Sequence, residues 1–200
     1  VNRGMYRFEP VTDKVIRYGL GAIKGTGQQA IEAIIAAREG RGEGPQGSTA
    51  GPFKSLFDFC VRVDRARINK RTVDALIKAG AFDGLQMNRA ALSASLDRAF
   101  DFASATHANA NQGGLFDMMG DDAHGSSTQE PDLVEVTPWG IKERLTQEKT
   151  AIGYYLSGHL FDEVALEVRR FVRTRLDEMG DSREPQILAG IVSDLRVING

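Results

Sequence analysis

The residue types best suited to chemistry in this chain are Gly25 and Gly27, which enclose Thr26 directly after Lys24. Glycine lets the backbone bend sharply and lets a phosphate group approach without meeting a Cβ atom. The helix predicted to start near Gly27 would leave its first amide groups unpaired at the positive end of its dipole, which stabilises an anion. Lys24 adds a full positive charge. The segment therefore predicts a phosphate site, although by itself a glycine-rich turn that binds nothing explains it equally well.

A second segment with the same order of features follows at Leu76–Asp83, where Gly80 lies between two predicted helices. Two helix-hairpin-helix units of this kind can straddle a duplex and hold the phosphates of both strands. A basic run that only Asp64 interrupts lies between them. Such a run is usually a solvated face, but its position beside both hairpins favours an anionic partner. The run consists of Arg62, Arg65, Arg67, Lys70 and Arg71.

The predicted partner is duplex DNA, held through its sugar-phosphate backbone. Contacts to phosphates do not read base edges, so we expect binding that is independent of base sequence and sensitive to salt. The predicted DNA-binding residues are Lys24, Gly25, Thr26, Gly27, Gln28, Arg65, Arg67, Lys70, Arg71, Lys78, Gly80, Ala81 and Phe82.

Large apolar side chains cluster at Leu115 and Phe116, within a stretch that is otherwise small and polar. Residues 112–138 contain six acidic side chains and no Lys or Arg, so we expect this stretch to stay solvated. An exposed apolar pair in such a stretch is typical of a peptide that a partner protein buries. The alternative is that the pair folds back onto its own domain. The predicted binding peptide is Gln112, Gly113, Gly114, Leu115 and Phe116.

Composition and charge exclude several classes of protein. With 42% hydrophobic and 26% charged residues among 200, the chain can bury an ordinary core. No apolar run approaches the roughly 18 residues of a membrane helix, and no signal peptide is evident, so we expect a cytoplasmic protein without a membrane partner. Cys60 is the single cysteine, which makes a disulfide or a metal cluster improbable. The net charge of −2 hides an asymmetry, since residues 1–103 hold 16 basic and 11 acidic side chains and residues 104–200 hold 9 and 16.

The elements that must position these groups are mainly α-helical. Alternating residues predict a small β-hairpin near the N-terminus, and helical periodicity predicts a helix from Gln28 to about Glu39. Ser55 and Asn69 are helix-capping residues, and a further helix is predicted from Asn88. The predicted divisions are a β-hairpin at 1–19, a DNA-binding helical domain at 20–103, a flexible tether at 104–138, a helical bridge at 139–186 and the start of a β domain at 187–200. Within the bridge we expect helices at about Trp139–Leu156 and Asp162–Val172. The β domain is expected to begin with a strand at Ile187–Val192.

Four segments together resemble one known family. They are Ile16–Gly27, Phe53–Cys60, Asn69–Arg71 and Leu76–Asp83, and they are similar to the alpha subunits of bacterial DNA polymerase III, the C-family replicative polymerases. The resemblance implies a fragment that runs from the end of the fingers, through a tandem helix-hairpin-helix module and the clamp-binding region, to the first strand of a truncated OB domain. The fold class expected is mainly α.

The same resemblance implies partners and an activity for the parent protein. The Gln-x-x-Leu-Phe spacing at 112–116 is similar to the family's peptide for the sliding clamp, the beta subunit, and other subunits of the polymerase III holoenzyme are expected partners. The parent would be a DNA-directed DNA polymerase, a nucleotidyltransferase that uses Mg²⁺ held by aspartates upstream of Val1. This chain would then contain no catalytic residue, metal site or cofactor.

Two other interpretations of the residues stay open. A helix-hairpin-helix DNA-repair enzyme, such as a glycosylase, would need a catalytic Asp or Lys in a base pocket after the hairpin, whereas an apolar helix and a glycine-rich loop follow here. A purely structural helical connector would bind neither DNA nor a clamp.

Overall fold

The computed structural model describes residues 1–42, 50–116, 129–192 and 195–197. Within these ranges the chain is mainly α-helical with one two-stranded sheet, as predicted. The strands are β1 (Glu9–Thr12) and β2 (Val15–Arg17), and the helices are α1 (Gln28–Arg38), α2 (Leu56–Arg62), α3 (Lys70–Lys78), α4 (Arg89–Ala94), α5 (Leu96–Phe116), α6 (Ile141–Ile152) and α7 (Ala165–Val168). Three short 3-10 turns accompany them at Leu20–Ala22, Leu160–Glu163 and Leu176–Glu178.

The N-terminal β-hairpin forms where alternation predicted it. Strands β1 and β2 are antiparallel, with Glu9 paired opposite Arg17 and a bulge between Pro10 and Thr12. An ion pair of 2.6 Å between the same two side chains reinforces the register, because directly opposite charges of unlike sign attract across a sheet.

Local signals also set the starts of the helices. Ser55 caps α2 by accepting a 2.9 Å hydrogen bond from the amide of Asp58, and Asn69 caps α3 by accepting one of 2.9 Å from Thr72. Each bond satisfies an amide that the first helical turn would otherwise leave unpaired. Both predicted caps are therefore confirmed.

Buried side chains of α1, α2, α3 and α5 form one core, which includes a group of aromatic rings. Phe59 contacts Phe53 and Phe82 edge to face, with 5.0 Å between ring centroids in each pair. All three side chains are at most 1% exposed. Ile31 and Ile34 of α1 are fully buried against this cluster, because they recur at the spacing of one helix face.

The helix predicted from Asn88 is two helices, since the chain turns at the fully buried Ser95. Helix α5 then continues to Phe116, so the prediction that a tether begins at residue 104 is wrong for residues 104–116. The Ser104 and Thr106 hydroxyls donate to the carbonyls of Phe100 and Phe102, at 2.8 and 2.9 Å. These polar side chains are thus satisfied within the helix and do not end it.

The far end of the predicted tether also packs against the helical domain. Ser95 Oγ accepts a 2.8 Å bond from the amide of Val134, and Asn88 Nδ2 donates to the Val136 carbonyl at 2.9 Å. Leu133 is partly buried against the core. The prediction of a segment without packing is therefore wrong for residues 131–136, while residues 117–128 lie outside the described part of the chain.

The C-terminal third is less regular than predicted. Helix α6 ends at Gly153, whose φ of +95° is the left-handed conformation that glycine adopts easily. The helix predicted for Asp162–Val172 is instead a 3-10 turn followed by the four-residue α7. No strand is assigned at Ile187–Val192, since a strand needs a hydrogen-bonded neighbour; the OB domain stays a prediction. Among the described residues no helix is long and apolar enough to span a bilayer.

Candidate nucleic-acid interface

The first hairpin forms an exposed tip, as predicted. Gly25 has a φ of +82°, and a Cβ atom added to Gly25 or Gly27 would meet nothing within 4 Å. Lys24, Gly25 and Gly27 are exposed. The Thr26 hydroxyl turns inward and donates to the carbonyls of Leu20 and Ile23, at 2.9 and 2.6 Å. The threonine therefore ties the loop to the preceding 3-10 turn and leaves the glycine backbone open to solvent.

The N-terminus of α1 has no side-chain cap. Gly27 is the capping residue and offers no side-chain acceptor. Its carbonyl accepts the amides of Ala30 and Ile31 at 3.1 and 3.2 Å, whereas the amides of Gln28 and Gln29 have no acceptor among the described residues. Two free amides at the positive end of an eleven-residue helix can donate to an anion such as a phosphate.

The N-terminus of α3 lies beside this tip. The Thr72 hydroxyl donates to the Gly25 carbonyl at 3.4 Å, and Arg67 Nη1 donates to Gln29 Oε1 at 2.9 Å. An open cleft results, lined by residues of both helix ends and by the Arg67 side chain. The lining residues include Gly25, Gly27, Gln28, Arg67, Asn69 and Thr72. Two helix N-termini and a guanidinium thus converge on one surface, which favours binding of a polyanion.

The other cations of the basic run differ in availability. Arg65 and Arg71 are exposed and make no ion pair within the described part of the chain. Lys70 pairs with Asp97, and the hydrogen bond to this carboxylate raises the pKa of the lysine. Arg62 is 6% exposed and donates to the carbonyls of Ala37 and Gly51 at 3.0 and 2.8 Å. Arg62 is therefore part of the core, which the sequence did not indicate.

The second hairpin is a closed corner, unlike the first, although the sequence has the same order of features in both. Gly80 has a φ of +79°, but the next amide, of Ala81, donates to the Leu76 carbonyl at 2.9 Å and closes the end of α3. The Phe82 side chain is fully buried. Lys78 is held by Asp74 at 2.7 Å. Of the residues predicted here, Phe82 cannot present its side chain to DNA without unpacking the core.

The two hairpins lie at opposite ends of α3. This helix has nine residues, so its ends are about 14 Å apart. The first hairpin meets the Asn69 end, and the second hairpin follows the Lys78 end. The first tip thus lies beside the N-terminus of α3 and not beside the second hairpin. The cap Asn69 could have indicated this second anion-binding helix end in the sequence, because a capped N-terminus is also the positive end of a helix dipole.

The predicted clamp peptide lies at the end of α5. The backbone of Gln112–Phe116 is helical, and its side chains lie outside the described part of the structure. The assignment of Gln112, Leu115 and Phe116 to partner binding stays a prediction.

Comparisons with known proteins find a motif and a set of relatives. Residues 1–92 match the family model of the helix-hairpin-helix motif. Over 200 residues the chain is 46% identical to the DNA polymerase III subunit alpha of Neisseria meningitidis serogroup B, and the match covers 100% of this chain and 16% of that protein. The subunits alpha of Pseudomonas aeruginosa and Escherichia coli K12 are 40% and 37% identical, and each covers 99% of this chain. The chain spans 17% and 16% of these two proteins.

Proposed function

The chain belongs to the DNA polymerase III subunit alpha family, and from this premise we propose that it is the part of such a subunit that holds duplex DNA and docks the sliding clamp. It would support processive, template-directed synthesis during chromosome replication. The observation that carries the DNA-binding proposal is the open cleft between the α1 and α3 N-termini, with Arg67 at its edge.

The cleft suits the sugar-phosphate backbone for three reasons. The free amides of Gln28 and Gln29 can donate to phosphate oxygens, the two dipoles favour negative charge, and the exposed Lys24 supplies a cation beside the tip. Gly25 and Gly27 leave room for a phosphate because nothing occupies the space of a Cβ atom. None of these groups distinguishes one base from another, so we expect affinity without base specificity.

A titration of duplex DNA at several salt concentrations tests this proposal. Fluorescence anisotropy with two duplexes of unrelated sequence should give equal affinities. The slope of log K against log salt should be roughly −2 to −4, from about 0.9 per phosphate neutralised. Lys24→Ala with Arg67→Ala should reduce the magnitude of the slope, whereas Lys142→Ala, an exposed lysine on α6, should leave it unchanged. An affinity of the unaltered chain that does not vary with salt would refute the proposal.

We propose that the sliding clamp binds the peptide at Gln112–Phe116. The glutamine amide would fix the orientation of the peptide, and Leu115 and Phe116 would fill an apolar pocket of the clamp as anchors. Attachment to a ring around DNA would keep the local concentration of the polymerase high between catalytic steps.

Substitution of the two anchors tests clamp binding. Leu115→Ala with Phe116→Ala should abolish binding to the clamp in a pull-down and leave the duplex titration unchanged, because the DNA cleft lies on other elements. Ser126→Ala with Ser127→Ala is the matched control. Clamp affinity retained in the Leu115 and Phe116 variant would contradict the assignment.

The parent subunit, on this proposal, is a DNA-directed DNA polymerase that works in the cytoplasm with the other holoenzyme subunits and Mg²⁺. The described residues of this chain do not fit the metal, since no three His, Cys, Asp or Glu side chains converge. No step of nucleotide addition is therefore assigned to this segment. Metal-dependent primer extension by the 200-residue chain would show that the assignment is wrong.

A further inference from the structure

Glu148 is a fully buried carboxylate that the DNA cleft does not use. Its Oε1 accepts a 3.3 Å bond from Arg89 Nη1, and its Oε2 accepts the amides of Leu156 and Ser157 at 2.6 and 2.8 Å. A buried charge is tolerated when it is paired and its oxygens are hydrogen-bonded. The carboxylate therefore joins three parts of the chain: α4, α6 and the loop after α6.

Arg89 carries this link to the second hairpin. The guanidinium binds both oxygens of Asp83 at 2.7 and 2.6 Å and donates to the Lys78 carbonyl at 3.1 Å. The side chain is 6% exposed, so its geometry is fixed by these partners. The pair of Arg89 and Glu148 thus links the C-terminal end of α3 and the hairpin that follows it to α6.

The same part of α6 holds the first hairpin, three residues after Glu148. The amide of Lys24 donates to the Ala151 carbonyl at 2.7 Å, in the last turn of the helix. A Cβ atom on Gly153, which ends α6, would lie 3.5 Å from Lys24 Nζ. The negative end of the α6 dipole therefore faces the lysine. Helix α6 therefore packs along α3, bonds the first hairpin directly and reaches the second through Arg89.

We propose that Glu148 is a positioning residue for the DNA cleft: by fixing α6 against Arg89, it sets the place of the Lys24–Gly27 tip relative to the N-terminus of α3. This inference rests on the proposed DNA binding and deepens it, because it extends the binding unit to a helix beyond the segment that matches the helix-hairpin-helix model. Glu148 itself touches no DNA.

Glu148→Gln tests the proposal with almost no change of shape. Three donors face the two carboxylate oxygens. A glutamine side chain has only one oxygen, and its NH2 group would face donors in place of the second oxygen, so α6 should shift. Duplex affinity should fall about tenfold, and the salt slope should lose roughly the 0.9 of one phosphate contact. Glu143→Gln, an exposed residue of the same helix, removes the same charge and should leave both values unchanged.

A double variant separates positioning from stability. Arg89→Met with Glu148→Leu removes both members of the buried pair together, which costs less stability than leaving one of them buried without its partner. The thermal midpoint should be higher than that of Arg89→Met alone, but the duplex affinity and the salt slope should stay reduced. Unaltered affinity and slope in this variant, or in Glu148→Gln, would overturn the proposal.

An NMR titration of the unaltered chain keeps the test valid if the variants do not fold. The amide resonances of Leu156 and Ser157 should shift on addition of duplex with the same dissociation constant as that of Lys24. If the Leu156 and Ser157 resonances do not shift while that of Lys24 does, the positioning role is overturned and the proposed DNA binding stands. A chain that shows no salt-dependent DNA binding at all would instead refute the proposed function.

Discussion

The two hairpins use the same turn residue for different purposes. Gly25 and Gly80 both have left-handed backbones, with φ of +82° and +79°. At the first, an uncapped helix begins two residues after Thr26 and its amides stay open; at the second, Phe82 enters the core and Asn88 caps the next helix. The comparison shows that a glycine indicates a turn of the backbone, whereas the residues that follow it decide whether the turn faces solvent.

The largest expected effect concerns the closed hairpin. Phe82→Ala should lower the free energy of unfolding by about 3–5 kcal/mol, because it leaves a cavity beside Phe59. Urea denaturation of the 200-residue chain measures this loss. Phe171→Ala is the control, since that ring is 80% exposed and its removal should change stability by under about 0.5 kcal/mol. Equal losses for the two variants would show that Phe82 is not a core residue.

A matched pair of glycine variants sharpens the contrast. Gly25→Ala should cost about 1–2 kcal/mol of unfolding free energy, the strain of an L-residue in a left-handed backbone with open space around it. Gly80→Ala should cost about 1–3 kcal/mol more, because its Cβ would overlap the buried guanidinium of Arg89 and lie 2.9 Å from Asp83 Oδ2. The same denaturation experiment ranks them, and a reversed order would contradict the assignment of open and closed hairpins.

Charge removal at the two ends of α3 should affect DNA differently. Arg71 is exposed and precedes Thr72, which lines the cleft, so Arg71→Ala should weaken duplex binding by about 1 kcal/mol, roughly fivefold, and reduce the salt slope by about one contact. Lys78 is paired with Asp74 at 2.7 Å near the closed hairpin, and Lys78→Ala should change affinity less than twofold. A larger loss for Lys78→Ala in the anisotropy titration would restore the second hairpin as a DNA contact.

The smallest expected effect is the reaction of Cys60 with a thiol reagent in the folded chain, since this residue lies in the same core as Phe82. Burial raises the pKa of this thiol to about 12. Because the reactive thiolate forms only as the pH approaches this value, the folded chain should react negligibly with a thiol reagent at pH 8. The chain in urea should react at once, and Gly80→Ala should react faster than Gly25→Ala. Fast reaction of the unaltered folded chain would mean that the core is open.

Local sequence accounts for the parts of the site that depend on near neighbours. The caps Ser55 and Asn69 act on amides three residues away, and the glycine-ended α3 and the β-hairpin also follow from adjacent residues. The first hairpin belongs to this group, since its open backbone needs only Gly25, Gly27 and the helix that starts after them. These features were predictable because the interacting atoms lie within a few residues of each other.

Tertiary structure decided the features that depend on distant partners. Arg62 and Phe82 resemble DNA-binding residues in the sequence, yet both are buried by groups that lie 10 or more residues away. The polar residues after 104 become helical because α5 packs on α2. Glu148 meets Arg89 across 59 residues. The sequence determined where the backbone turns and which helix ends are charged, and only packing determined which of these ends reach solvent, because burial depends on neighbours that the chain brings together by folding.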